Sequence, residues 1–158
     1  MKNKFTHISA SGNPQMVDVS EKAITKRIAK AQATVRLGKE ILSRMAGDEL
    51  ITKKGPVFQT AIIAGVMGAK KTHDLIPFCH PLGLEDCQIT IKTKKETVII
   101  DTTATITGKT GVEMEALTAA TIAALTVYDM CKALSHNIVV EEIKLMEKSG
   151  GKKDFRRK

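Results

Sequence analysis

Thirteen consecutive residues without a charge, 116–128, lie between Glu115 and Asp129. Ahead of them Thr110 and Glu113 have the spacing of a capping box. Together these features predict a helix from Val112 to about Leu134 that is apolar nearly all round. Such a helix is buried on more than one face. In a two-layer fold one face meets a sheet, so the other predicts a subunit interface and an oligomer. The run is too short to span a bilayer, which takes roughly 18 apolar residues. The opening residues, Met1 to His7, show no apolar stretch of signal-peptide type. The expectation is a cytoplasmic protein without membrane contact.

The remaining pattern supplies the partners of that helix. From Ala29 to Leu37 small apolar residues alternate with Lys30, Gln32, Thr34 and Arg36, the period of a half-buried strand. Ile24, Ile28, Ala31 and Val35 fit a helix almost as well, so both readings stand. A short helix is expected from Lys39 to Ala46, stopped by Gly47. A second helix is expected from about Pro56 to Asp74, with proline suited to its first turn. Pro77 and Pro81 then impose an extended loop. Cys87 to Thr93 and Thr97 to Thr107 read as strands, and Ile138 to Leu145 as the last one. The order is β-α-β-β-α-β with an extra short helix in the first connection, the ferredoxin-like α+β pattern of an antiparallel sheet with helices on one face. A single domain spans residues 1–158, with 1–18 and 152–158 expected to be flexible.

Charge excludes less than it suggests. The net charge is +8, but the last seven residues hold five basic side chains and one acid. The body therefore carries a modest excess, better suited to an anionic small molecule than to nucleic acid. There is no Trp, one Tyr and four Phe, few stacking platforms for bases. Cys79, Cys87 and Cys131 form no CxxC pair, so reduced thiols are expected and no metal site.

Several side chains could carry chemistry. Asp129 and Lys132 lie three apart on one helix face, either as a plain ion pair or as an acid/base pair in which the lysine's pKa falls toward neutrality. Glu115 lies fourteen residues upstream of Asp129, roughly 21 Å along a helix. One site using both must be built from two subunits. Gly108-Lys109-Thr110-Gly111 is not a Walker A loop, because Thr103 stands where its first glycine belongs. Lys109 beside a helix start still suits an anion. His80 sits in the two-proline loop, Lys54 beside Gly55, and Lys148 ahead of Ser149-Gly150-Gly151, positions where backbone approaches a ligand closely.

The segments LIPFCHPL (75–82), TGKTGVEMEAL (107–117), YDMCK (128–132), KSGGK (148–152) and MVDVS (16–20) closely resemble the molybdenum cofactor biosynthesis protein C family. The likeness runs from about residue 6 to 152. It implies a cyclic pyranopterin monophosphate synthase, a diphosphate-releasing lyase acting on 3′,8-cyclo-7,8-dihydro-GTP made by a radical SAM enzyme, with which transient contact is expected. It also implies a homohexamer, a trimer of dimers. No cofactor is expected, and whether magnesium accompanies the triphosphate is left open by the sequence. By motif, Asp129, Lys132, Lys54 and His80 are the implied catalytic groups. Phe78, Cys79, His80, Met114, Glu115, Lys148 and Arg27 are the implied substrate contacts. Phe78 replaces a frequent leucine, and Lys153 follows Gly-Gly-Lys where a serine is expected. The rival reading is a small basic RNA-binding module of the same fold, which needs aromatics that strands 87–93 and 97–107 lack.

Overall fold

Ala29, Ala31, Ala33 and Val35 are buried on one face of strand β1 (Thr25–Arg36), while Lys30 and Arg36 stay exposed on the other. The helical alternative fails because Ile24, which it would bury, is 64% exposed. This computed structural model describes Ile8, Ser9 and residues 11–158. The expectation of flexibility for 1–18 falls partly outside them.

After β1 come α1 (Lys39–Leu42), β2 (Met45–Ala46), β3 (Glu49–Thr52), β4 (Gly55–Pro56), α2 (Val57–Lys70) and α3 (Thr72–Leu75). They are followed by β5 (Asp86–Lys94), β6 (Thr97–Gly108), α4 (Glu113–Cys131), β7 (Val139–Ser149) and β8 (Phe155–Arg156). The main sheet has the order β5-β6-β1-β7-β8 with every pair antiparallel. Helix α4 packs on β1, β6 and β7, and α2 packs on β5 and on α4. This is the ferredoxin-like α+β arrangement.

The core is built from small side chains. Ala116, Ala119, Ala120, Ala123 and Ala124 of α4 are fully buried, as are Ala29 and Ala33 of β1. Alanine carries no side-chain entropy to lose on burial, and its size lets helix and sheet backbones come close. The same holds between helices. A Cβ on Gly65 would lie 2.9 Å from the Ala119 carbonyl oxygen, and one on Gly68 would lie 2.6 Å from Ile122 Cγ1. Thr102, buried on β6, donates to the Ala116 carbonyl at 2.8 Å, tying the sheet to the first turns of α4. Burying that hydroxyl unpaired costs roughly 1–3 kcal/mol.

Four local expectations are corrected. The first short helix ends at Leu42, and Gly47, with φ of 63°, turns the chain between β2 and β3 instead of capping a helix. Strands β2, β3 and β4 form a three-stranded miniature sheet whose rungs are too short to show a period. The second helix breaks at Lys71. The capping box does not form: α4 has no side-chain cap bond, because Glu113 pairs with Lys148 at 2.9 Å. The second apolar face of α4 meets α2 within the same chain, which leaves Leu125 and Met114 as its exposed large hydrophobics.

Segment 152–158 contains a strand. Glu147 pairs with Arg156 and Lys148 with Phe155, and the Arg157 N–H donates to the Met146 carbonyl at 2.8 Å. Among the described residues no helix is long and apolar enough to cross a membrane.

The turn between β7 and β8 depends on Gly150. Its φ is +83°, and a Cβ there would run into the Lys26 carbonyl oxygen. Gly150→Ala is therefore expected to lower unfolding free energy by about 3 kcal/mol, read as a shifted urea midpoint with unchanged slope. Gly83→Ala, with open space around the new methyl and no positive φ, is the control and stays near wild type.

Candidate active site

The C-terminal end of α4 gathers one acid and two cations. Lys132 Nζ donates to Asp129 Oδ1 at 2.7 Å across one turn. Lys54 Nζ donates to Asp129 Oδ2 at 2.7 Å and to the Asp129 main-chain carbonyl at 3.0 Å. That second bond satisfies one of the carbonyls a helix leaves without an internal partner. Lys54 arrives on the turn between β3 and β4, where its own N–H is held by Thr52 Oγ1 at 3.2 Å. All three side chains are about half exposed.

The electrostatics follow from this clamp. Hydrogen bonds from Lys132 and then Lys54 hold the Asp129 carboxyl down at about 2. Asp129 in turn raises Lys132 above the ordinary lysine range. Of the two readings of this spacing, the ion pair is the one found, and the lysine is not lowered toward neutrality, because it faces a carboxylate at hydrogen-bond distance. Asp129 stays ionised and Lys132 stays charged at neutral pH.

The N-terminal end of α4 opens on a cleft of 590 Å³ between the start of β1, the 109–113 turn and the end of β7. Lys22, Arg27, Lys109, Lys148, Lys152 and Lys153 line it, against two carboxylates, Glu21 and Glu113. Lys109 Nζ donates to the Ser20 carbonyl at 2.6 Å, and Arg27 Nε donates to the Gly108 carbonyl at 3.4 Å. Six cations against two acids make a cleft fit for a polyanion.

Glu115 lies buried beside this end. Burial pushes its carboxyl up from the ordinary 4.5 to about 6, and the neighbouring Glu113 adds to the rise. Burial also raises the Cys79 thiol, with the Glu115 charge acting in the same direction. Cys79 therefore rests as a thiol, and so do Cys87 and Cys131, the latter lifted to about 11 by burial. His80 Nε2 lies 2.9 Å from the Val17 carbonyl. A carbonyl only accepts, so Nε2 carries the hydrogen of this bond. Phe78 and Met114 remain partly exposed.

The residues singled out by sequence thus fall into two groups. Lys54, Asp129 and Lys132 meet at one end of α4. Glu115 lies at the other, near enough for its charge to act on the Cys79 thiol, and Arg27 and Lys148 line the cleft there. Within one chain the groups stand roughly 21 Å apart along the helix. Glu113 escaped notice as a site residue because its spacing suited a cap. Lys22, Lys152 and Lys153 had no signal beyond their charge.

A ferredoxin-like protein with a lysine-clamped aspartate and a cationic cleft at opposite ends of one helix is the class these observations define. The MoaC family matches residues 16–151, and the chain belongs to that family. It is similar to molybdenum cofactor biosynthesis protein 1 of Dictyostelium discoideum, with 48% identity over 168 residues covering 95% of this chain and 27% of that protein. The chain spans about a quarter of the length of this curated relative.

The raised Glu115 pKa makes a signed prediction. The folded chain holds that proton more tightly than the unfolded one, so stability falls as pH rises from 4.5 to about 6 and levels off above. Glu115→Gln abolishes the fall. Relative to wild type, the variant is expected to gain stability between about pH 4 and about pH 7.5 in urea titrations. An equal difference at both pH values would show that Glu115 ionises as it does in water.

Proposed function

We propose that the chain converts 3′,8-cyclo-7,8-dihydroguanosine 5′-triphosphate to cyclic pyranopterin monophosphate with release of diphosphate, an early step of molybdenum cofactor biosynthesis. Membership of the MoaC family and similarity to a molybdenum cofactor biosynthesis protein support the pathway. The observation that carries the reaction is the pairing of a six-cation cleft and the titratable Glu115 at one end of α4 with a lysine-clamped aspartate at the other. A triphosphate needs several cations to bind and to stabilise the departing diphosphate. Skeletal rearrangement needs groups that give and take protons near neutral pH.

The geometry suggests a division of labour. Lys148, Arg27 and Lys109 hold phosphate oxygens. Lys132, kept charged by Asp129, and Lys54, aimed by it, donate protons or steady developing negative charge. Glu115, near 6, exchanges a proton at working pH, and His80 presents Nδ1. Asp129 acts chiefly by orienting its two lysines, since a carboxyl held near 2 is a weak base. Phe78 and Met114 supply apolar contact to a flat ring.

Because the two groups stand roughly 21 Å apart in one chain, the complete site joins the Asp129 end of one copy to the Glu115 end of another. A homohexamer built as a trimer of dimers satisfies this requirement. The RNA-binding alternative finds less support. Strands β1, β5, β6 and β7 contain no aromatic residue, and the open sheet face is occupied by pairs such as Gln32–Asp101 at 2.8 Å and Lys30–Glu147 at 3.3 Å.

Asp129→Asn is expected to keep the fold and assembly state while lowering turnover of the cyclised GTP substrate about 100-fold or more. Assembly is checked by sedimentation, and turnover by pyranopterin formation. Lys132→Ala and Glu115→Ala, each inactive alone, are expected to recover roughly a quarter of wild-type activity when co-refolded, since half the dimers are mixed and each has one intact site. Mixed oligomers without activity would place the whole site in a single chain.

A further inference from the structure

Helix α2 begins at Pro56, which makes no side-chain cap bond, so the first-turn amides need another partner. Glu49 of β3 supplies it. Its Oε1 accepts from the Phe58 N–H at 2.8 Å and from its neighbour Leu50 at 2.7 Å, and its Oε2 accepts from the Gln59 N–H at 3.0 Å. A carboxylate at this position also faces the positive end of the α2 dipole.

This cap reaches further than the helix it serves. Glu49 stands at the base of the β3–β4 hairpin, and Lys54 stands at its tip. The hairpin is held by two rungs only, Ile51 with Pro56 and Thr52 with Gly55, and so short a ribbon does not fix its own direction. Leu50, wholly buried, anchors the strand in the core, and β2 pairs with Glu49 and Leu50 at the hairpin base. The Glu49 carboxylate joins this base to α2. Helix α2 is itself pressed against α4 through Gly65 and Gly68. A continuous line of contacts thus runs from α4 through α2 and Glu49 to Lys54, and back to α4 at Asp129.

We infer that Glu49 is a positioning residue for Lys54: its bonds to the Phe58 and Gln59 amides clamp the hairpin base to the first turn of α2 and so hold the Lys54 ammonium on Asp129. For turnover this rests on the reaction proposed above; for geometry it stands alone.

The test is an NMR titration of the Asp129 carboxyl in wild type, Lys54→Met and Glu49→Gln. Asp129 faces two cations, Lys54 and Lys132, so losing Lys54 raises its pKa. Glu49→Gln is expected to raise it as well, by roughly one unit, because the loosened tip withdraws Lys54. The direction is decisive. Removing the Glu49 charge without moving Lys54 lowers the Asp129 pKa, if it changes it at all. An unchanged or lowered value, even in a less stable protein, overturns the proposal and leaves Glu49 a helix cap only. If Glu49→Gln does not fold, Glu49→Asp keeps the charge on a shorter stem and is read the same way.

In the activity arm, Glu49→Gln is expected to lower kcat/KM about tenfold. The double variant with Lys54→Met should be no worse than Lys54→Met alone. Additive losses count against the coupling. Wild type without turnover of this substrate overturns the reaction and leaves the Asp129 titration to decide the role of Glu49.

Discussion

Alanine faces alanine where β1 meets α4, and glycine faces helix backbone where α2 meets α4. The close approach of these three elements sets most of the remaining architecture. It brings the sheet near enough for Thr102 to donate to the Ala116 carbonyl. It also fixes α2, and with α2 the hairpin that carries Lys54. A core of this kind draws on backbone proximity more than on large side chains. Its largest fully buried residues, Ile41, Leu50 and Ile100, lie among valines and alanines.

The same helix divides the chemistry. At its C-terminal end the carbonyl dipoles disfavour an acid, and Asp129 is tolerated there because two ammonium groups meet it. At its N-terminal end the amides and the surrounding lysines favour anions, and Glu115 is pushed toward its neutral form by burial. One end is therefore a fixed ion cluster and the other a group poised to titrate.

The legible parts of the sequence were those with a period. Alternation around Ala29–Val35 marks β1, and the uncharged run 116–128 marks α4, so the ferredoxin-like order could be read before any coordinates. The β2–β4 sheet could not, because strands of two to four residues have no repeat to detect. Glu113 shows the opposite failure: its spacing from Thr110 satisfies a local rule, yet a partner 35 residues away wins the carboxylate. Lys54 and Asp129 are 75 residues apart. Physical reading of the sequence singled out each of them, but their meeting depends on the register of a hairpin and was implied only by resemblance. The basic tail read as free charge, and its pairing with β7 depends on a turn only glycine makes easily.

A seam lined with methyl groups has no spare rotamers with which to absorb a larger neighbour. An extra carbon introduced beneath Ala120, which is fully buried near the middle of α4, acts as a shim: it pushes the helix off the sheet as a rigid bar, and Asp129 and Glu115 move with it. One small change far from either end thus displaces the clamped aspartate and the titratable glutamate at once.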